Sequence, residues 1–292
     1  MTLTEARRIE QDFYEIPAPN EDDIFLYTEA MDYIIQTTHA PEAMMMLGGW
    51  YYEQRQFELA LKYYEMAAEY KSVSAYECLG YIWYYGRTGT KDYKKAFNYF
   101  KLAKDAGNII AAYKLADMYK NGYFVEKNYD EYCGIIEELY PKIRTANNLY
   151  DPLPEIYTRL ARIRTEQGRY EEAVNLYYDA KEFLAQRISY NAYFGNLNIM
   201  MWLIDDLYKL VEFDRDNFGL YDLYYLAKSP VKVRFYFDDR EQIWEVTEEN
   251  GNLVICFNGK WYRSREDFFA KACIDDIPVT HIYDAFYGFE VI

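Results

Sequence analysis

Histidine is nearly absent from this chain, which has two, His39 and His281, in 292 residues. They are too far apart in sequence to pair without an accident of folding, so the commonest general base of enzymes is scarce here. No Walker glycine loop, no GxGxxG after a strand, no GxSxG and no HExxH occurs, and Gly86-x-x-Gly89 reads as a turn. His281, with Cys256, Cys273, Asp275 and Asp276, is the best nominee for a metal, but zinc sites space ligands in tight pairs and none is present. Catalytic, cofactor-binding and metal-ligating residues are accordingly expected to be none. The four cysteines, Cys78, Cys133, Cys256 and Cys273, make no CxxC and sit in apolar segments. Buried free thiols in a reducing cytoplasm are the expectation. With 14 glycines and 8 prolines the chain has too few breakers for a disordered or loop-rich scaffold. No asparagine stands in an Asn-x-Ser/Thr acceptor, and the first 20 residues lack the apolar core of a secretory signal. The longest apolar run, Ala43 to Tyr52, is 10 residues, against the roughly 18–20 a membrane span requires.

Positive charge is also short. Lys and Arg number 32 against 48 acids, a net charge of −16. Such a field repels phosphate backbones and anionic lipid, so neither nucleic acid nor a membrane is an expected partner. The acid lies at the ends: residues 1–40 hold 9 acids and 2 bases, and residues 231–292 hold 12 and 7. Adjacent carboxylates occur at Asp22-Asp23, Asp205-Asp206, Asp238-Asp239, Glu248-Glu249 and Asp275-Asp276. Helix starts and turns attract such pairs without any acid–base chemistry.

What the chain has in excess is tyrosine, 35 residues, and much of it falls in a repeat. Leu79, Gly80, Gly86 and Tyr93 match Leu115, Ala116, Gly122 and Tyr129 at an offset of 36. A shorter form starts at Leu47 and returns at Leu160. Each unit reads as two helices around a turn marked by Gly86, Gly122 or Gly168. The first helix carries Leu followed by Gly or Ala, where a larger side chain would hold the second helix away. The second helix places Ala60, Tyr64 and Ala67, or Ala96, Phe100 and Ala103, or Ala173, Tyr177 and Ala180, on one face. One hairpin cannot bury that face alone, so stacking of neighbours is required.

Leu79, Gly80, Gly86, Asp92, Tyr93, Lys95, Ala96, Tyr99, Phe100, Ala103 and Gly107 stand where Sel-like repeats carry A-x-x-x-L-G-x-x-Y-x-x-G, a loop and D-Y-x-K-A-x-x-Y-F-x-x-A-x-x-x-G. The 36-residue units resemble that family, and those at 44–70 and 157–183 resemble tetratricopeptide repeats. The resemblance covers about residues 43–185. It implies a mainly α fold, a right-handed superhelix of antiparallel helical hairpins, with adaptor work in assembling a complex. Tyr132 replaces the second small residue of the third unit, which predicts looser packing or a bend there, and Pro141, Pro152 and Pro154 mark a break in stacking.

Outside the repeats, Asn20-Glu21-Asp22-Asp23 predicts a helix start, with Ile24, Tyr27, Met31, Ile34 and Ile35 on one face. Leu197 to Val211 predicts an amphipathic helix, and another is expected near Asn217–Lys228. Beyond Ser229-Pro230 the period changes to 2. Val231–Phe237, Ile243–Glu248, Leu253–Phe257 and Lys260–Tyr262 read as strands joined by Asn250-Gly251 and Asn258-Gly259 turns. Ser264 to Asp267 reads as a capping box opening a helix to Ala272, and a final strand is expected near Ala285–Val291. The predicted division is 1–42 N-terminal capping helices, 43–228 repeats and 231–292 a small α+β domain.

In tetratricopeptide-type arrays the first helix of each hairpin lines the concave face, and the resemblance carries that role to Tyr52, Tyr81, Tyr84, Tyr85, Tyr113, Asp117 and Arg162. Met45, Glu53, Glu77, Lys120, Thr158 and Thr165 flank them in register. A tyrosine-lined groove suits a protein or extended peptide with apolar and basic residues. Packing between hairpins is the competing use of Tyr81 and Tyr113. Two other readings are an acidic inhibitor neutralising a basic partner enzyme, as an immunity protein does, and an enzyme whose site in the C-terminal module joins His281 to a carboxylate.

Overall fold

A computed structural model describes residues 1–144, 148–149 and 151–292. These form two compact units, Met1–Ile135 and Ile136–Ile292. In the first, α1 (Leu3–Phe13) packs on α2 (Glu21–Thr38), and three hairpins follow. They are α3 (Pro41–Glu53) with α4 (Phe57–Glu69), α5 (Val73–Tyr85) with α6 (Tyr93–Asp105), and α7 (Ile109–Asn121) with the start of α8 (Tyr129–Ile143). The expected start of α2 is present: the Asn20 carboxamide oxygen accepts the N–H groups of Asp22 and Asp23. That accounts for one acid pair as first-turn charge on a helix dipole.

The repeat signature has the expected physical content. Leu47, Leu79 and Leu115 are buried, as are Ala60, Ala67, Ala96 and Ala103. A Cβ placed on Gly48 would lie 2.7 Å from the Tyr64 ring, and one on Gly80 would lie 2.4 Å from the Phe100 ring. The two helices of the first two hairpins thus touch through a glycine on one side and an aromatic on the other, while the third hairpin has Ala116 at the glycine's place. Gly86 and Gly122 end α5 and α7 in the left-handed region, at φ 64° and 72°, where a residue with a Cβ is strained. Tyr132 is buried, with Lys120 Nζ 4.8 Å from its ring.

In the second unit, α9 (Leu153–Glu166) and α10 (Tyr170–Tyr190) form a further hairpin, with Ala161, Ala173, Tyr177 and Ala180 buried. α11 (Phe194–Leu207) packs on α10. The helix expected over Asn217–Lys228 is replaced by a 3-10 turn, Leu220–Asp222, and the four-residue α12 (Leu223–Leu226). The cause is Asp222: its buried carboxylate takes the Gly219 N–H, the Tyr208 hydroxyl and the Lys181 ammonium, which pins the chain in a tight turn.

Strand begins at Val231, inside this unit. The antiparallel sheet runs β4 (Lys260–Tyr262), β3 (Asn252–Phe257), β2 (Arg240–Glu249), β1 (Val231–Phe237) and β7 (Tyr287–Val291). A short hairpin, β5 (Cys273–Ile274) and β6 (Ile277–Pro278), stands apart and has no counterpart in the sequence reading. Asn250-Gly251 and Asn258-Gly259 make the expected two-residue turns, all four residues at positive φ. Asp238-Asp239 and Asp275-Asp276 do the same between β1 and β2 and between β5 and β6. Two of the adjacent acid pairs are therefore turn chemistry, because short acidic side chains tolerate left-handed backbone.

Val233, Phe235, Trp244 and Phe257 are buried in the sheet, and Phe268 of α13 (Arg265–Lys271) meets Trp244 and Phe257 edge-on. Ser264 caps α13 as expected, but the Asp267 carboxylate accepts the Arg263 N–H rather than that of Ser264. The α+β module is docked on the preceding helices: Phe269 stacks on Tyr224 at 3.9 Å, and the Arg265 guanidinium meets both Asp205 oxygens at 3.2 Å. Of the cysteines, Cys273 is exposed and the other three are half-buried, which corrects the expectation of four buried thiols; none of the four is in a disulfide among the described residues. The exposure follows from its place on the outlying two-stranded hairpin. Among the described residues no helix is long and apolar enough to cross a membrane.

Candidate functional site

The first-helix tyrosines of the first unit gather around two cations. Tyr81, Tyr84 and Tyr85 occupy one side of α5, because residues three and four apart share a helix face. Tyr81 and Tyr85 stack at 5.8 Å with 7° between planes, and Tyr84 meets Tyr85 edge-on at 5.0 Å. α7 brings Tyr113 beside them, its hydroxyl 3.4 Å from that of Tyr81. Lys114, the next residue, places Nζ 5.3 to 5.8 Å from the Tyr81, Tyr84, Tyr85 and Tyr113 rings and donates to the Tyr85 hydroxyl at 3.2 Å. The second cation is Arg87, which follows the left-handed turn at Gly86. Its guanidinium lies 5.8 Å from the Tyr52 and Phe57 rings and 5.1 Å from Tyr85, and Nε donates to the Tyr52 hydroxyl at 3.0 Å. A run of ring, cation, ring, cation thus passes from α3 to α7, held by the attraction of a cation to the negative face of an aromatic ring.

The members differ in access. Tyr113 is 6% exposed and fills the space between hairpins, the packing use that competed with a groove role for it. Tyr84 is half-buried against Phe100, Tyr93 and Tyr123, so its ring belongs to the hairpin framework as well. Tyr85 is 41% exposed and offers an edge to solvent; Tyr52 is half-buried. Burial pushes the Tyr81 and Tyr84 hydroxyls well above the ordinary tyrosine range, with Tyr113 adding to the first and the Asp117 carboxylate to the second. Both stay neutral donors at physiological pH. Glu77 is held by framework duties: burial raises its carboxyl and the Asn108 amide, donating at 2.7 Å, opposes the rise. Asn108 in turn caps α7 through the Ala111 N–H.

Arg162 belongs to the second unit, where its Nε donates to Asp206 at 2.7 Å. Thr158 and Thr165 are there too, each donating its hydroxyl to a backbone carbonyl one turn earlier. Arg87 and Lys114 escaped sequence reasoning. The available signals were a cation directly after a glycine cap and another beside a first-helix tyrosine. Among the described residues no group of three or more His, Cys, Asp or Glu side chains could hold a metal ion.

Residues 41–69, 74–108 and 109–131 match the Sel1 repeat. The first match covers the unit whose short turn reads as tetratricopeptide-like, while residues 157–183 lie outside the matched segments. Among curated proteins no significant match is found. Among solved structures, a Sel1 repeat protein from Oxalobacter formigenes is similar at 20% identity over 70% of this chain and 78% of its own, with a TM-score of 0.49. The antigen c5321 from uropathogenic Escherichia coli is similar at 18% identity over 72% of this chain, with a TM-score of 0.49. This chain spans 42% of that protein's length. A tetratricopeptide repeat protein from Parabacteroides merdae gives 13% identity, 73% and 82% coverage and a TM-score of 0.43. Within residues 41–131, then, the hairpins of the first unit are Sel1 repeats, three in succession.

Proposed function

We propose that this chain is a non-catalytic scaffold whose first-unit tyrosines receive an extended segment of a partner protein. Sel1 repeats are typically protein–protein interaction modules. The observation that supports a site at this place is the array of Tyr52, Arg87, Tyr85 and Lys114, whose side chains bridge successive hairpins while Tyr85 keeps 41% of its surface in solvent. Aromatic rings give large contact area with few rotors to freeze, and their hydroxyls and the two cations add directional donors. Asp117, half-buried beside Tyr84, supplies a carboxylate at the same place. Tyr81 and Tyr113 serve as the backing that holds these groups in position. A reducing cytoplasm remains the compartment we infer from four cysteines that stand outside any disulfide among the described residues.

The test is capture of partners from native lysate, identification by mass spectrometry, and titration of the purified partner against Tyr85→Ala and against a Tyr85→Ala, Lys114→Ala double variant. A central aromatic anchor is worth about 2 kcal/mol, roughly a thirtyfold loss of affinity. Unchanged affinity for the double variant, with its helical circular dichroism intact, refutes a role for this face. Tyr84→Ala is a poor probe because that ring packs on Phe100.

A further inference from the structure

The second unit contains an open cleft of about 630 Å³ that the tyrosine array does not involve. Its walls come from α10, from the loop after α11, from the 3-10 turn at Leu220–Asp222, and from a second 3-10 segment, Val279–Ala285. Six carboxylates line it: Asp179, Glu182, Glu212, Asp214, Asp222 and Asp284. Lys181 is the one basic residue among its lining side chains.

That lysine is committed. Its Nζ lies 2.6 and 2.8 Å from the two Asp222 oxygens, and Asp222 also accepts the Tyr208 hydroxyl at 2.7 Å and the Gly219 N–H at 2.8 Å. The pair forms a neutral, hydrogen-bonded floor. Five carboxylates remain above it with no lysine or arginine in the lining to balance them, and all five residues are exposed. Between them stand the rings of Tyr178, Phe218 and Tyr283. One lining residue carries a polar atom that is left over: Tyr221 is 3% exposed, its ring lies 5.7 Å from that of Tyr283 at a tilt of 43°, and its buried hydroxyl has no hydrogen-bond partner among the described residues. A buried hydroxyl without a partner is costly, and this one can accept from an N–H donor.

Carboxylates interleaved with aromatic faces are the surroundings that organic cations select. The acids do not converge as metal ligands would, since no group of three among the described residues could hold a metal ion. Five charges spread over three chain segments exceed what one small amine neutralises and suit several basic side chains along one strand of polypeptide. We propose that this cleft binds a lysine- and arginine-bearing segment of a partner protein, with one cationic side chain reaching the Tyr221 hydroxyl.

The probe is a fluorescein-labelled decapeptide of alternating lysine and glycine, titrated into the full chain by anisotropy at low and moderate salt. Binding should weaken steeply with salt, and Glu182→Gln with Asp284→Asn should cost about tenfold or more in affinity while circular dichroism stays unchanged. Tyr221→Phe, which keeps the ring, should cost a few-fold. Tyr85→Ala should leave this binding intact, which separates the cleft from the array on the first unit. The proposal is overturned if the wild-type chain fails to bind the peptide at 1 mM, or if the double variant binds it equally. It is overturned also if spermidine binds more tightly than the peptide with the same dependence on Glu182 and Asp284, which would make the ligand a free polyamine.

Discussion

Replacing Gly80 with alanine tests the packing rule on which the repeats rest. Two effects oppose each other. Alanine in a helix interior is better than glycine by about 1 kcal/mol. Against this, the new methyl would lie 2.4, 2.5 and 3.0 Å from Cε1, Cδ1 and Cγ of Phe100, where carbon atoms prefer about 3.5–4.0 Å. The ring has no free side to move toward, since Phe100 is 0% exposed and Tyr81 and Tyr84 abut it edge-on. Overpacking of this kind costs about 1–3 kcal/mol, and overlap with three ring atoms places it at the upper end. The net expectation is a loss of about 1–2 kcal/mol. Gly134 in α8 is the control: it is exposed, nothing lies within 4 Å of its added Cβ, and Gly134→Ala should gain about 0.5–1 kcal/mol. Urea unfolding followed by circular dichroism measures both. Adding Phe100→Leu to Gly80→Ala should show a coupling of about 1 kcal/mol, because the smaller side chain vacates the contested space. If Gly80→Ala is as stable as the wild type, the close approach of glycine to ring is not what sets the hairpin spacing.

Two further outcomes follow from the ionisable groups. Burial opposes the charge on Asp205, but hydrogen bonds from Lys228 and Arg265 outweigh it and hold the carboxyl below the usual range. A carboxyl with a depressed folded-state value stabilises the fold fully above its unfolded value near 4 and loses that contribution as pH falls through the folded value. The stability gap between wild type and Asp205→Asn should therefore be constant from about pH 6 to 8 and shrink below about pH 4; a gap unchanged at pH 3 contradicts the assignment. For the thiols, burial and the nearby Glu77 carboxylate push Cys78 up to about 12, while Cys273 is exposed. An aromatic disulfide reagent at pH 8 should label Cys273 first and Cys78 only on unfolding; a fast phase that survives Cys273→Ser speaks against this order.

The hairpin framework was legible because it depends on local identity at fixed spacing. Leu79-Gly80 against Phe100, the caps at Gly86 and Gly122, and the Asn-Gly turns each follow from the volume or backbone freedom of one or two residues. The site was legible only as a set of rings. Which ring is buried depends on the neighbouring hairpin, so Tyr85 and Tyr113 look alike in sequence and differ in access. Arg87 and Lys114 had no periodic signal: a long flexible side chain finds its ring through the turn before it or the helix beside it. The helix expected at Asn217–Lys228 failed for a similar reason, since the partners of Asp222 include Lys181, 41 residues away.

Sequence by itself determined that this chain stacks helical hairpins and ends in an antiparallel sheet, because period, small residues and turn residues act within a few positions of one another. Tertiary structure alone decided where the charge is used. Asp205 became the clamp on Arg265, and Asp222 became a buried floor. Those roles depend on which distant cation or backbone amide arrives within about 3 Å, and no local pattern fixes that.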